Sequence, residues 1–161
     1  MDELNSSRMK KLISIIFLVA VFATGLTAQV LKPVKWQITQ KKISEGVYDI
    51  ICTATIETNW HLYDTKLPEG TAQPTTFTID EDETTGIEKI GEFKATAKPQ
   101  VEYSKAFEAD LKYFTSKATF IQRVKVTGAK GKLVGAVEYM ACSGEQCTPP
   151  TEADFKFDLT K

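Results

Sequence analysis

Val137-Glu138-Tyr139-Met140-Ala141-Cys142-Ser143-Gly144-Glu145-Gln146-Cys147-Thr148-Pro149-Pro150 decides how this chain is read. A strand-like run, Leu133–Ala141, leads into Cys142. Pro149-Pro150 leads out after Cys147, with φ fixed by both rings. Ser143, Gly144, Glu145 and Gln146 are turn residues, and Gly144 admits positive φ at little cost. The spacing predicts two thiols facing across a tight loop at the end of a hairpin, within reach of a disulfide.

Such a bridge is either a staple or a redox pair. Closing a loop of about six residues restricts the unfolded chain by only ~2 kcal/mol, less than a bridge over a long segment. As a redox pair it is well placed, with adjacent thiols in an exposed loop held by proline. A local structural disulfide is the alternative, since exported domains carry such bridges. Zinc would need four ligands, and beyond the pair the chain offers only Cys52 and His61. Neither a metal nor a cofactor is therefore expected, and the cysteines would act by themselves.

The rest of the composition places the chain outside the cytoplasm. Met9-Lys10-Lys11 is a short basic region, and Leu12–Ala23 is an apolar run too short to span a bilayer comfortably. Small residues follow up to Ala28. This predicts a secretory signal peptide over 1–28, with Met1–Arg8 an upstream extension, cleavage after Ala28, and a domain over 29–161. No cysteine lies at the cleavage point, which argues against a lipid anchor. No second long apolar run predicts a membrane span after cleavage. A formal net charge of −1 speaks against nucleic acid as a partner. The expected location is periplasmic or secreted, where disulfides persist.

After Gln29 the residues favour strands: Val, Ile, Thr, Phe and Tyr in short alternating runs broken by turns. Val34–Gln40, Gly46–Thr58, Thr75–Ile79 and Ile87–Phe93 read as strands. Ile50, Cys52, Ala54 and Ile56 share one apolar face by period 2, so Cys52 is expected to be a small buried hydrophobe. Asn59-Trp60-His61-Leu62-Tyr63 sets the single histidine in an aromatic cluster. Lys98–Lys112 lacks a clean period and reads as a long irregular loop. Tyr113–Val126 reads as one strand, joined through Gly128–Gly131 to a hairpin partner over Leu133–Ala141. Phe155, Phe157 and Leu159 alternate in a final strand. The pattern predicts an all-β, immunoglobulin-like antiparallel β-sandwich.

On these residues a family resemblance stands out. Val137-Glu138-Tyr139 before Cys142, a short polar loop, and then Cys147-Thr148-Pro149-Pro150 resembles the N-terminal periplasmic domain of the thiol:disulfide interchange protein DsbD. Trp60-His61-Leu62-Tyr63 is similar to that family's aromatic strand beside the active site. Val101–Phe114 is similar to its cap loop, with Phe107 in the place of the shielding aromatic. The loop between the cysteines is one residue shorter than in the best-known members, and Thr148 stands where an aromatic often precedes Pro149-Pro150. The likeness covers the family's N-terminal domain, not its membrane-spanning or thioredoxin-like domains.

The resemblance implies a thiol–disulfide oxidoreductase of the protein-disulfide reductase type. The pair Cys142 and Cys147 would pass electrons to oxidised partners. Cys147 would form the mixed disulfide and Cys142 would resolve it. Phe107 and Tyr103 would cap the pair, His61 and Tyr63 would flank it, and Pro149 and Pro150 would hold its loop. Thioredoxin-like periplasmic proteins are the implied partners, with a separate membrane protein as a source of electrons. The competing expectation is a secreted binding sandwich whose disulfide is purely structural. A single histidine and no nucleophile–base pair leave little basis for hydrolysis.

Overall fold

The computed structural model describes residues 31–161, and the expected signal segment and its cleavage point lie outside them. Alternation of apolar and polar residues makes β2 (Val47–Ile56) and β8 (Lys117–Val126) the central strands of one sheet. It runs β1 (Val34–Ser44), β2, β8, β5 (Ile87–Ala95), all antiparallel. Ile50, Cys52, Ala54 and Ile56 are buried, as their shared face predicts, with Cys52 opposite Phe120 and Ala54 opposite Ala118.

A three-stranded sheet faces it: β11 (Thr151–Thr160), β9 (Lys130–Tyr139) and β4 (Thr76–Ile79). One core joins the two sheets, and Phe120 sits at its middle. Its ring lies 5.5 Å from Phe93, 5.5 Å from Phe114 and 6.0 Å from Trp36. Phe77 stacks on Phe155 and meets Phe93 at a tilt. Gly135 lets Phe155 lie across the sheet, because a β-carbon there would overlap the Thr78 carbonyl oxygen and come within 2.9 Å of the Phe155 ring. The third sheet is smaller: β10 (Ala141–Cys142), β3 (His61–Tyr63), β7 (Ala109–Phe114) and β6 (Gln100–Ser104). The chain is thus an immunoglobulin-like antiparallel sandwich with this small sheet at one end of its core.

The structure corrects four readings of the sequence. Lys98–Lys112 is not an irregular loop: β6 and the start of β7 form a hairpin there, with a turn at Lys105–Glu108. β6 is an edge strand exposed on both faces, so its apolar residues Val101 and Tyr103 stay exposed. The turn carries no glycine, and Glu108 takes the left-handed position at φ 52°. Tyr113–Val126 is two strands, divided at Thr115-Ser116, where Ser116 at φ 62° turns the chain from the small sheet into the large one. β8 and β9 are not hairpin partners: β8 pairs with β2 and β5, β9 with β11 and β4, so Thr127–Ala129 carries the chain across the sandwich. Finally, Leu133–Ala141 breaks at Met140, where the backbone leaves β9 and joins the small sheet as β10.

Cys52 is fully buried and unpaired, and burial pushes its thiol up to about 12. A thiol reagent attacks the thiolate, so the native protein should hold Cys52 unreactive from pH 7 to 9. Ellman's reagent should count no fast thiol while the Cys142–Cys147 disulfide is intact, and one thiol after unfolding. Rapid native labelling at Cys52 would overturn the strand placement.

Candidate active site

The small sheet sorts its residues by strand period. Ala141 pairs with Leu62, and Leu62 with Phe114. These three are buried in the main core. The residues between them must then point to the opposite face. Cys142 pairs with His61, Tyr63 pairs with Tyr113, and Leu111 pairs with Glu102. A second apolar cluster forms on that face from Tyr63, Leu111, Cys142 and Ala72, with Phe107 and Met140 packed against it.

The disulfide closes between Cys142 and Cys147, with Cα atoms 4.0 Å apart, at the end of the β9–β11 hairpin. Its two halves differ in exposure: Cys142 is 2% exposed and Cys147 lies open. The loop between them is internally bonded. Ser143 N–H donates to the Gln146 carbonyl at 2.8 Å, and Ser143 Oγ accepts from Gln146 N–H at 3.2 Å. Thr148 is buried and ties Cys147's end of the loop to β10. Its N–H donates to the Ala141 carbonyl at 2.8 Å, and its Oγ1 accepts from Ala141 N–H at 3.2 Å.

A cleft of about 480 Å³ opens over this face. Both cysteines, His61, Tyr63, Tyr113 and Phe107 border it. His61 Nε2 lies 3.2 Å from Tyr63 Oη, and its ring meets Tyr63 edge-on at 5.2 Å and Tyr113 at 5.0 Å. Tyr113 Oη donates to Glu102 Oε2 at 2.9 Å. Burial holds His61 below the usual imidazole range, against an opposing pull from Glu102. Burial also raises Tyr63, while the bond to Glu102 raises Tyr113. At neutral pH the rings that wall the cleft are therefore uncharged. Among the described residues there is no helix, so no helix dipole acts on the sulfurs, and no acidic or sulfur-bearing cluster that could hold a metal ion.

The sequence-derived site residues fall together with one reservation. Cys142, Cys147, His61, Tyr63 and Phe107 share the cleft. Pro149 and Pro150 follow the loop, exposed, and lead into β11. Tyr103 borders the cleft but is 58% exposed, and its register partner Asp110 alternates away from the Glu102–Leu111 pair. Tyr113, Glu102 and Thr148 were not read as site residues. Tyr113 and Glu102 come into place through the β6–β7 hairpin, whose first strand is exposed on both faces, and Thr148 through a buried clip invisible in a single polar residue.

Comparison with known proteins bears on this arrangement. Residues 27–159 match the model of a family described as thiol:disulfide interchange protein DsbD, N-terminal. No curated protein matches the chain. Among solved structures, the N-terminal periplasmic domain of ScsB from Proteus mirabilis superposes with a TM-score of 0.56 at 16% identity, over 84% of this chain and 49% of that one. The chain thus spans about half the length of that structure. The reduced DsbD N-terminal domain of Neisseria meningitidis gives a TM-score of 0.47 at 15% identity, over 77% of this chain and 86% of that one.

The Thr148 clip has a measurable weight. Thr148→Ala leaves a buried Ala141 N–H without its side-chain acceptor, a loss of about 1–3 kcal/mol. Urea unfolding of the oxidised protein should show that loss, and Thr148→Ser should recover most of it. Equal stability of the alanine variant and the native chain would remove the clip from the account of the loop.

Proposed function

The chain belongs to the family of the N-terminal domain of the thiol:disulfide interchange protein DsbD, and on that premise we propose that it passes reducing equivalents through Cys142 and Cys147 to oxidised partner proteins. The observation that carries the reading is the unequal exposure of the two sulfurs under one cleft. An exposed Cys147 suits attack on, or by, a partner, while a buried Cys142 suits closure within the chain.

The electrons balance as follows. In the reduced chain the Cys147 thiolate attacks one sulfur of the partner's disulfide, and the partner's other sulfur leaves as a thiolate. Cys142 Sγ then attacks Cys147 Sγ, the mixed disulfide breaks, and the partner's second thiol is released. The partner gains two electrons and the chain is left with the Cys142–Cys147 bond seen here. Reduction by a dithiol donor runs the same steps backwards, with attack on the accessible Cys147. The proposed donors and acceptors are thioredoxin-like proteins, whose exposed cysteines match this chemistry. Phe107, packed beside Cys142 from the turn above it, shields the pair from small oxidants until a partner displaces it.

We place this exchange in the periplasm, with residues 1–28 removed on export. N-terminal sequencing of the mature protein should then begin at Gln29, and a retained Met1 or Met9 on membrane-bound protein would refute that boundary.

The exchange itself is tested by potential and by trapping. A working pair should equilibrate above about −300 mV in a glutathione series, whereas a structural bridge lies below it. Cys142→Ala should accumulate mixed disulfides through Cys147, and Cys147→Ala should accumulate few. Phe107→Ala should speed reaction of the reduced pair with small disulfides. A potential below −300 mV together with no trapped partner would favour a purely structural hairpin disulfide; trapping by Cys147→Ala alone would reverse the two cysteine roles.

A further inference from the structure

The second step of the exchange has a requirement that the cysteines do not meet by themselves. Cys142 must lose a proton before its sulfur can attack, and it sits in an apolar cluster with Tyr63, Ala72 and Leu111. Burial opposes a thiolate there. A neighbouring base has to take the proton, and the sheet register supplies one candidate.

His61 is the cross-strand partner of Cys142 on β3. Residues directly opposite in an antiparallel pair hold their β-carbons about 4.5–5.5 Å apart on the same face. Both side chains border the same cleft. The imidazole is held between Tyr63 and Tyr113, with Nε2 in reach of Tyr63 Oη at 3.2 Å. If Nε2–H donates to that hydroxyl, the lone pair lies on Nδ1, free to accept a proton. We infer that His61 is the base that takes the Cys142 proton in the resolving step and returns it when the disulfide is reopened. This rests on the exchange reading above and assigns one further role within it.

The step balances. The S–H bond of Cys142 breaks, its proton moves to the imidazole, and the electron pair left on Cys142 Sγ forms the bond to Cys147 Sγ. The partner's sulfur leaves with the pair of the broken mixed disulfide. In the reverse direction the imidazolium protonates the Cys142 thiolate as it is expelled. The groups around His61 fit a base that is neutral when needed. Tyr63 on its own strand and Tyr113 on β7 are uncharged at neutral pH. Glu102 on β6 is bonded to Tyr113, and Lys105 borders the cleft from the turn above. Glu57 lines a separate hollow on the other side of the ring. Burial is the largest influence on the imidazole and lowers its pKa, which favours the neutral base.

Ellman's reagent separates the steps. Reduced protein releases one thionitrobenzoate as the mixed disulfide forms, and a second as the other cysteine resolves it. The second phase is first order and reports the resolving step. In the native protein its rate should rise through the His61 titration and level off above it. His61 is the chain's single histidine, so NMR reads that titration directly on the reduced protein. His61→Gln should slow the second phase at pH 7.5 by at least about tenfold, within the range expected of a general base. The deficit should shrink toward pH 10, where the thiol ionises unaided. His61→Phe keeps the packing against the tyrosines and should show the same pH-dependent deficit. A slowing that is equal at every pH, or below threefold throughout, would overturn the inference. So would a native second-phase rate that crosses the NMR midpoint without an inflection, a result that needs no variant to fold. Absence of any second phase in the native protein would sink the exchange reading itself, and this inference with it.

Discussion

Everything at the cysteine end depends on the burial of Leu62. Its side chain is fully inside the core, paired with Ala141 on one side and Phe114 on the other. A strand cannot bury Leu62 without turning His61 and Tyr63 to the opposite face, and a one-residue slip would put both polar rings into the core. The same pairing fixes Cys142 opposite His61. Three residues of β3 thus set which face of the small sheet carries Cys142 and His61. The main core supplies the anchoring energy: fully burying a leucine contributes about 1.5–3 kcal/mol, enough to reject the slipped register by a factor of ten or more.

A second consequence concerns the two sulfurs. β10 is two residues long and holds Cys142 in the sheet, whereas Cys147 follows a loop whose bonds are mostly its own. The Thr148 clip joins that loop to β10 through two hydrogen bonds to Ala141. Opening the disulfide therefore leaves the Cys147 backbone held near Cys142. The chain entropy that a six-residue bridge removes is small, about 2 kcal/mol, so little stability depends on the oxidised state. That is the property a pair must have if it is to cycle without unfolding its domain.

The sequence disclosed the sandwich and the cysteine loop for different reasons. Ile50–Ile56 and the Phe155–Leu159 run alternate cleanly because each buries one face, so their period is written in residue types. The cysteine loop was legible from spacing and its flanking prolines. The β6–β7 hairpin was not, since Gln100–Ser104 is exposed on both faces and its turn gives the left-handed position to Glu108 rather than glycine. The false hairpin at Gly128–Gly131 arose from a true turn signal: the chain does turn there, but it changes sheet, and local residues do not encode which strand waits on the other side. Tyr113 and Glu102 were missed with the hairpin that carries them, and the pairing of His61 with Cys142 spans a separation that no local pattern reports.

The attachment of that hairpin also decides how the site opens. β7 pairs with β3 through Phe114 and Tyr113, with one more bond from Asp64 N–H to the Lys112 carbonyl, while β6 pairs only with β7. Gln100–Leu111 therefore projects from the small sheet as an arm held at its β7 end. Lifting the whole arm would expose Leu111, which is buried, at a cost of about 1.5–3 kcal/mol, together with whatever Phe107 covers. Moving the Lys105–Glu108 turn alone gives up only the half-buried contacts of Phe107 and leaves the five-pair ladder of β6 and β7 intact. The second motion costs less and frees the same side of the cluster that holds Cys142. Loops with few buried contacts open at low free energy, so on the exchange reading proposed above the turn, not the arm, is the element that would move.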